Sequence, residues 1–163
     1  ALNNALERRG FNIVAAQDVA PELTFQTSGV QTRTRPSSRD MADIKRAIDV
    51  SHTIGAADIG ASVVVDNQVI AVEAAEGTAK MLERVVDMRR NRKKSSGVFA
   101  KMTKPGQDLR IDIPAIGIDT VNAVAAAKLR GIVVNTKTCF VVNRDAVIRR
   151  ANELKIFILA IDE

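Results

Sequence analysis

Tryptophan and tyrosine are absent from the 163 residues, and five phenylalanines are the whole aromatic complement. The absence of tyrosine and tryptophan faces, with the five Phe scattered, argues against base stacking as the main means of holding single-stranded nucleic acid. One cysteine, Cys139, leaves no partner for a disulfide within the chain, in keeping with a reducing compartment. One histidine, His52, excludes a histidine-rich metal centre and the His/Asp two-metal phosphoesterase pattern. No apolar run approaches the ~20 residues of a membrane-spanning helix, so a soluble or peripheral protein is expected. The phosphate signatures GxxxxGK(S/T) and GxGxxG after a strand are missing, and His52 lies in a helical stretch with no nucleophile elbow to serve.

What is present is a small-residue core. Apolar residues make up 46% of the chain, mostly Ala, Val and Ile, which suits covered strands in an α/β protein. The first ten residues read as a helix end closed by Gly10, followed by a strand at FNIVAA. Pro21 to Arg39 has no periodicity and reads as a linker. Residues 1–37 are therefore expected to be the tail of a preceding domain plus linker, and residues 38–163 one α/β domain. Within it, Met41, Ile44, Ala47 and Ile48 repeat at helical spacing up to Gly55. Two apolar runs flank an Asp66-Asn67 hairpin turn, and Thr78 is placed to cap a helix carrying Met81, Leu82, Val85 and Val86. VFAKM, GIVVN, TCFVV and IFILAI read as strands, with an Ala-rich helix from Asp119 to Gly131 and another from Asp145 to Leu154. Strands alternating with helices, plus hairpins, predict a mixed β-sheet flanked by helices.

Three charged features remain. Between Lys101 and Thr120, three cations and three carboxylates crowd a stretch broken by Pro105-Gly106 and Pro114. Extended or looped backbone there lets Lys101, Lys104, Asp108, Arg110 and Asp112 converge, cations suiting phosphate and aspartates suiting a hard divalent metal. Glu73 and Glu76 precede Gly77-Thr78 at a helix start, where N–H groups could hold a phosphate and the carboxylates its metal; capping alone is the plainer reading. Arg89, Arg90, Arg92, Lys93 and Lys94 form a basic run that reads as a solvated helix end and loop, with an anionic lipid surface as the next reading.

AADIGASVVVDNQVIAVEAAEGT, VFAKMTKPGQDLRIDIPAIGIDT, KLRGIVVN and KIFILAID together resemble the UDP-2,3-diacylglucosamine pyrophosphohydrolases that lack the calcineurin-like fold. The resemblance runs from about Gly10 to the end and implies a catalytic domain retaining only the tail of a preceding one. It also implies magnesium-dependent hydrolysis of UDP-2,3-diacylglucosamine to UMP and 2,3-diacylglucosamine 1-phosphate. The setting it implies is lipid A assembly, cytoplasmic and peripheral at the anionic inner-membrane surface, with a homodimer left open. By motif, Glu73, Glu76, Gly77 and Thr78 match one segment, and Lys101, Lys104, Gln107, Asp108, Arg110 and Asp112 the other. The implied roles are Mg²⁺ on Asp108 with Asp112 or Glu73, catalysis by Asp108, Asp112 and Glu76, and phosphate or substrate contacts from Lys101, Lys104, Gln107, Arg110, Gly77 and Thr78. Ala79 stands where the family usually carries an aspartate. Two rival readings stay open: a basic nucleic-acid-binding module, which leaves Asp108 and Asp112 unexplained, and a nucleotide-sugar or lipid-binding domain without catalysis.

Overall fold

Each strand from Val63 to Ala160 sends alternate residues to opposite faces, and helices cover both. The computed structural model describes residues 2–162. In chain order it contains α1 (Leu2–Glu7), α2 (Ala16–Val19), β1 (Gly29–Val30), α3 (Ser38–Gly55), β2 (Ala61–Val65), β3 (Gln68–Val72), α4 (Gly77–Met88) and β4 (Val98–Lys101). There follow β5 (Ala115–Ile116), α5 (Ile118–Ala126), β6 (Gly131–Asn135), β7 (Phe140–Val141), α6 (Arg144–Glu153) and β8 (Phe157–Ile161). Six strands form one sheet in the order β1-β8-β6-β4-β2-β3, with β4, β6 and β8 parallel and the others antiparallel to their neighbours. A short parallel pair, β5 and β7, stands apart. The mixed sheet flanked by helices is the fold class expected from the sequence.

One face packs Val63, Phe99, Ile132 and Ile158 against Met81, Leu82 and Val85 of α4, Val121 and Val124 of α5, and Val147 of α6. The other packs Val64, Ala100, Val133 and Phe157 against Ile44 and Ala47 of α3. Continuous burial of β2 and β6 explains their unbroken Val/Ile runs. The hairpin turn forms with positive φ at both Asp66 and Asn67, as a type I′ turn requires. The buried Asp43 carboxylate of α3 accepts both of their amides, at 3.3 and 2.6 Å.

Several local expectations fail for identifiable reasons. Phe11 to Ala15 forms no strand, and Phe11 and Val14 are exposed; the β8 edge is paired by Gly29–Val30 instead. That pairing, and the burial of Phe25 in the main core, place part of the supposed linker inside the folded unit. α5 ends at Ala126 rather than at Gly131, which opens β6. Met41 faces solvent while Ile44 and Ala47 are buried. Arg89 is not part of a solvated run: it is buried and donates to the carbonyls of Ala127 and Lys128, just past the end of α5, and of Ser96. Cys139 is buried, with its thiol pushed up to about 12 by burial, as expected of a core hydrophobe.

Gly131 is glycine because the Phe157 ring lies over it: a Cβ there would stand 2.1 Å from ring carbons. Phe157 is fully buried and cannot swing away. Gly131→Ala is expected to destabilise the domain by about 1–3 kcal/mol through overpacking, read by chemical denaturation. An unchanged midpoint would show that the ring has room to move.

Candidate active site

The C-terminal ends of the parallel strands, where ligands collect in open α/β sheets, carry most of the charged residues singled out above. Lys101 ends β4, Glu73 follows β3, and both flank Ala61 at the start of β2. Ala61 is the register partner of Lys101 and accepts the Glu73 amide at 2.9 Å. The small side chain between them leaves the two long ones free to meet. Lys101 Nζ donates to Glu73 Oε2 at 2.8 Å and to Thr78 Oγ1 at 2.8 Å, while Thr78 Oγ1 donates to Glu73 Oε1 at 2.7 Å. The three close a ring at the first turn of α4, with the Lys101 and Glu73 side chains only 15% and 17% exposed.

The loop after β4 supplies the second group. Asn135 Oδ1 at the end of β6 accepts the Thr103 amide at 2.7 Å and fixes where the loop departs. Pro105 then packs on α3 at Gly55, where a Cβ would meet the proline ring at 2.7 Å. Gly106 turns the chain with φ +73, and Gln107 folds back so that its side chain accepts the Lys104 amide at 2.9 Å. Lys104 Nζ lies 2.6 Å from Asp58 and 3.4 Å from Asp112, and Gln107 Nε2 donates to the same Asp112 oxygen at 2.7 Å. The hydrogen bond to Asp58, against some burial and helped by Asp112, raises the Lys104 ammonium above its ordinary range, so it stays charged.

Asp108 and Asp112 lie one turn apart, the Asp112 amide donating to the Asp108 carbonyl at 3.0 Å. Asp108 Oδ1 accepts Arg110 Nε at 2.8 Å, and Oδ2 accepts the Arg110 guanidinium at 2.7 Å and Asn3 Nδ2 at 2.9 Å. The Arg110 guanidinium holds this carboxyl well below the usual carboxylate range, and Arg110 is itself raised, first by Asp108 and then by Glu7. Arg110 also reaches Glu7 of α1 at 2.8 Å.

An open cavity of about 650 Å³ is lined by Asp58, Glu73, Lys101, Lys104, Gln107 and Asp112, with Pro114 and Ala115 on one wall. A second, of about 410 Å³, shares Asp58, Lys104, Gln107 and Asp112 and adds Asp108 and Ile111. Five residues singled out in the sequence thus share one cavity, and Asp108 joins them next door. Arg110, Gly77 and Thr78 stand behind the walls. Glu76 turns aside to Arg84, and its carboxyl is held below the ordinary range by its own backbone amide and then by Arg84. Thr78 does not cap α4: Glu76 holds the cap position, with no side-chain bond. Glu73, Asp108 and Asp112 are not gathered into one ligand group; among the described residues no three His, Cys, Asp or Glu side chains are placed to hold a metal together. Sequence reasoning missed Asp58, whose only signal is a polar residue in the short joint between α3 and β2, held there at φ 64.

Fold and cavity define an α/β protein with an open cleft of lysines and carboxylates at its C-terminal strand ends. The chain belongs to the LpxI C-terminal domain family, which residues 27–159 match. Over 161 residues it is 42% identical to the UDP-2,3-diacylglucosamine pyrophosphatase LpxI of Caulobacter vibrioides, an alignment covering 96% of this chain and 57% of that protein. The chain therefore spans somewhat more than half the length of that relative.

Proposed function

We propose that this chain carries the hydrolysis of UDP-2,3-diacylglucosamine to UMP and 2,3-diacylglucosamine 1-phosphate, a step of lipid A assembly. The observation that carries the reading is the cavity where Lys101 and Lys104 meet Asp58, Glu73 and Asp112, in a chain so similar to a pyrophosphatase of that name. Lysine ammonium groups there would bind the phosphate oxygens, and water attack at phosphorus would break the bridging P–O bond. The wall charges sum to one negative, since three carboxylates face two lysines. A pyrophosphate cannot settle beside that excess without added positive charge, and this supports a divalent cation.

The donor set fits magnesium, which takes hard oxygens, only one or two protein carboxylates, and otherwise phosphate and water. Asp108 and Asp112, on one turn, are the residues that would hold it, Asp108 by giving up bonds to Arg110 and Asn3; Glu73 would have to leave its ring with Lys101 and Thr78. Bound there, Mg²⁺ would neutralise charge developing on the phosphates. Lys101 and Lys104 keep the substrate phosphates in place, and Gln107 steadies Asp112. The test is UMP release from UDP-2,3-diacylglucosamine with Mg²⁺, abolished by EDTA. Binding without release would leave a non-catalytic lipid or nucleotide-sugar module, and salt-sensitive binding to nonspecific duplex would favour the nucleic-acid reading.

A diacyl substrate also implies a protein at the cytoplasmic, anionic face of the inner membrane. The basic run is badly placed for delivering it. Residues 89–97 precede β4 whereas the cavity follows it, and α4 separates the two by roughly 18 Å for its twelve residues. Ile111, 55% exposed beside the second cavity, offers apolar surface on the correct side. Changing Arg92, Lys93 and Lys94 to Gln is expected to leave UMP release from vesicle-borne substrate within twofold. A fall of tenfold or more would place the bilayer at the run.

A further inference from the structure

Thr78 is the one member of the half-buried ring whose side chain has no charge and no capping duty. Its hydroxyl accepts from Lys101 Nζ and donates to Glu73 Oε1, so a single oxygen links cation and carboxylate. A lysine ammonium has three N–H donors. Glu73 Oε2 and Thr78 Oγ1 take two of them, which leaves the third for the cavity that Lys101 lines. With two donors fixed from different directions, the ammonium loses the rotational freedom that a lysine on a flexible four-carbon stem otherwise keeps.

We propose that Thr78 is a positioning residue for Lys101: with Glu73 it locks the ammonium so that its remaining N–H points at the substrate phosphates. This rests on the proposed hydrolysis and assigns Glu73 and Thr78 to the orientation of Lys101 rather than to the metal or the phosphate. The backbone favours the arrangement. Gly77, at φ +80, turns the chain into α4 so that Thr78 stands next to the end of β4, and Ala61 leaves the gap across which Glu73 reaches.

Thr78→Val keeps the branched shape at β-carbon and removes both hydrogen bonds; Thr78→Ser keeps the hydroxyl. In purified protein, Thr78→Val is expected to lower kcat for UMP release about tenfold with KM changed less than threefold, because misdirecting a catalytic charge costs rate more than affinity. Thr78→Ser should return kcat to within threefold of wild type. The ¹⁵N-resolved ammonium signal of Lys101, protected from solvent exchange by its two bonds, should persist in wild type and Thr78→Ser and be lost in Thr78→Val. Thermal melts of all three separate these effects from loss of fold. Near wild-type kcat in Thr78→Val, a Ser variant as slow as the Val variant, or an ammonium signal unaffected by Val would each overturn the proposal. Should Thr78→Val not fold, Thr78→Ala takes its place with the same expected losses. A wild-type protein that releases no UMP would refute the hydrolysis itself, and the ammonium signal would still decide whether Thr78 holds Lys101.

Discussion

Asp108→Ala is expected to lower kcat by about a thousandfold or more while leaving the melting temperature nearly unchanged. Its carboxylate is half-exposed and paired with Arg110 on the surface of a loop, and exposed ion pairs contribute little to stability. Its chemical position is different. Arg110 keeps it ionised throughout the working pH range, so it serves as a fixed negative charge beside Asp112 and not as a base that titrates near neutrality. If, as proposed, Asp108 would position a metal against the phosphates, losing its charge removes an interaction strongest in the transition state, which lowers kcat more than affinity. Asp108→Asn should be about as slow, since it keeps the size and loses the charge. A variant with near wild-type kcat would remove Asp108 from the mechanism. The same depressed carboxyl has a stability consequence of definite sign. Its contribution is complete above the unfolded value of ~3.9 and is lost as pH falls through the lower folded value, so the tie from Asn3 to Asp108 should loosen only in strong acid.

Why the loop was legible and the ring was not follows from the reach of local signals. Pro105, Gly106 and Pro114 bar regular structure in a charged stretch, and backbone freed in that way turns its polar side chains toward one cavity. The Ala61 row depends instead on register across three strands, and nothing local to Glu73 or Lys101 says that an alanine lies between them. Thr78 illustrates the cost: a threonine before an apolar helical face looks like a cap, yet its hydroxyl is claimed by Lys101, 23 residues away. Arg89 misleads in the same manner, because the carbonyls that bury it come from a helix end 38 residues further along. The strands themselves were legible where short apolar runs of β-branched residues met a turn signal, as at Asp66-Asn67. FNIVAA had the composition of a strand, but the edge of β8 is paired by Gly29–Val30 instead.

Lys104→Met should raise KM at least a hundredfold, with a smaller change in kcat. Lys104 lines both cavities and is the cation that Asp58 and Asp112 share. Removing it takes the wall charge of the first cavity from one negative to two, and the incoming phosphates then meet Asp58 and Asp112 without the ammonium that screened them. A unit charge at 4 Å is worth about 4 kcal/mol at the effective dielectric typical near a protein surface, and a hundredfold change in binding needs only about 2.7 kcal/mol. The expected effect therefore survives considerable screening. Methionine keeps the apolar stem, so its place beside Gly60, where an added Cβ would stand 3.8 Å from the Lys104 stem, should be retained. Lys104→Arg tests the geometry: it keeps the charge but spreads it over a planar fork, and it should recover only part of the loss if the compact ammonium must fit between Asp58 and Asp112. The measurements are kcat and KM for UMP release, and UMP affinity by calorimetry. A Met variant within threefold of wild type in both would show that Lys104 serves only to hold the loop, and Lys101 would be left as the phosphate contact.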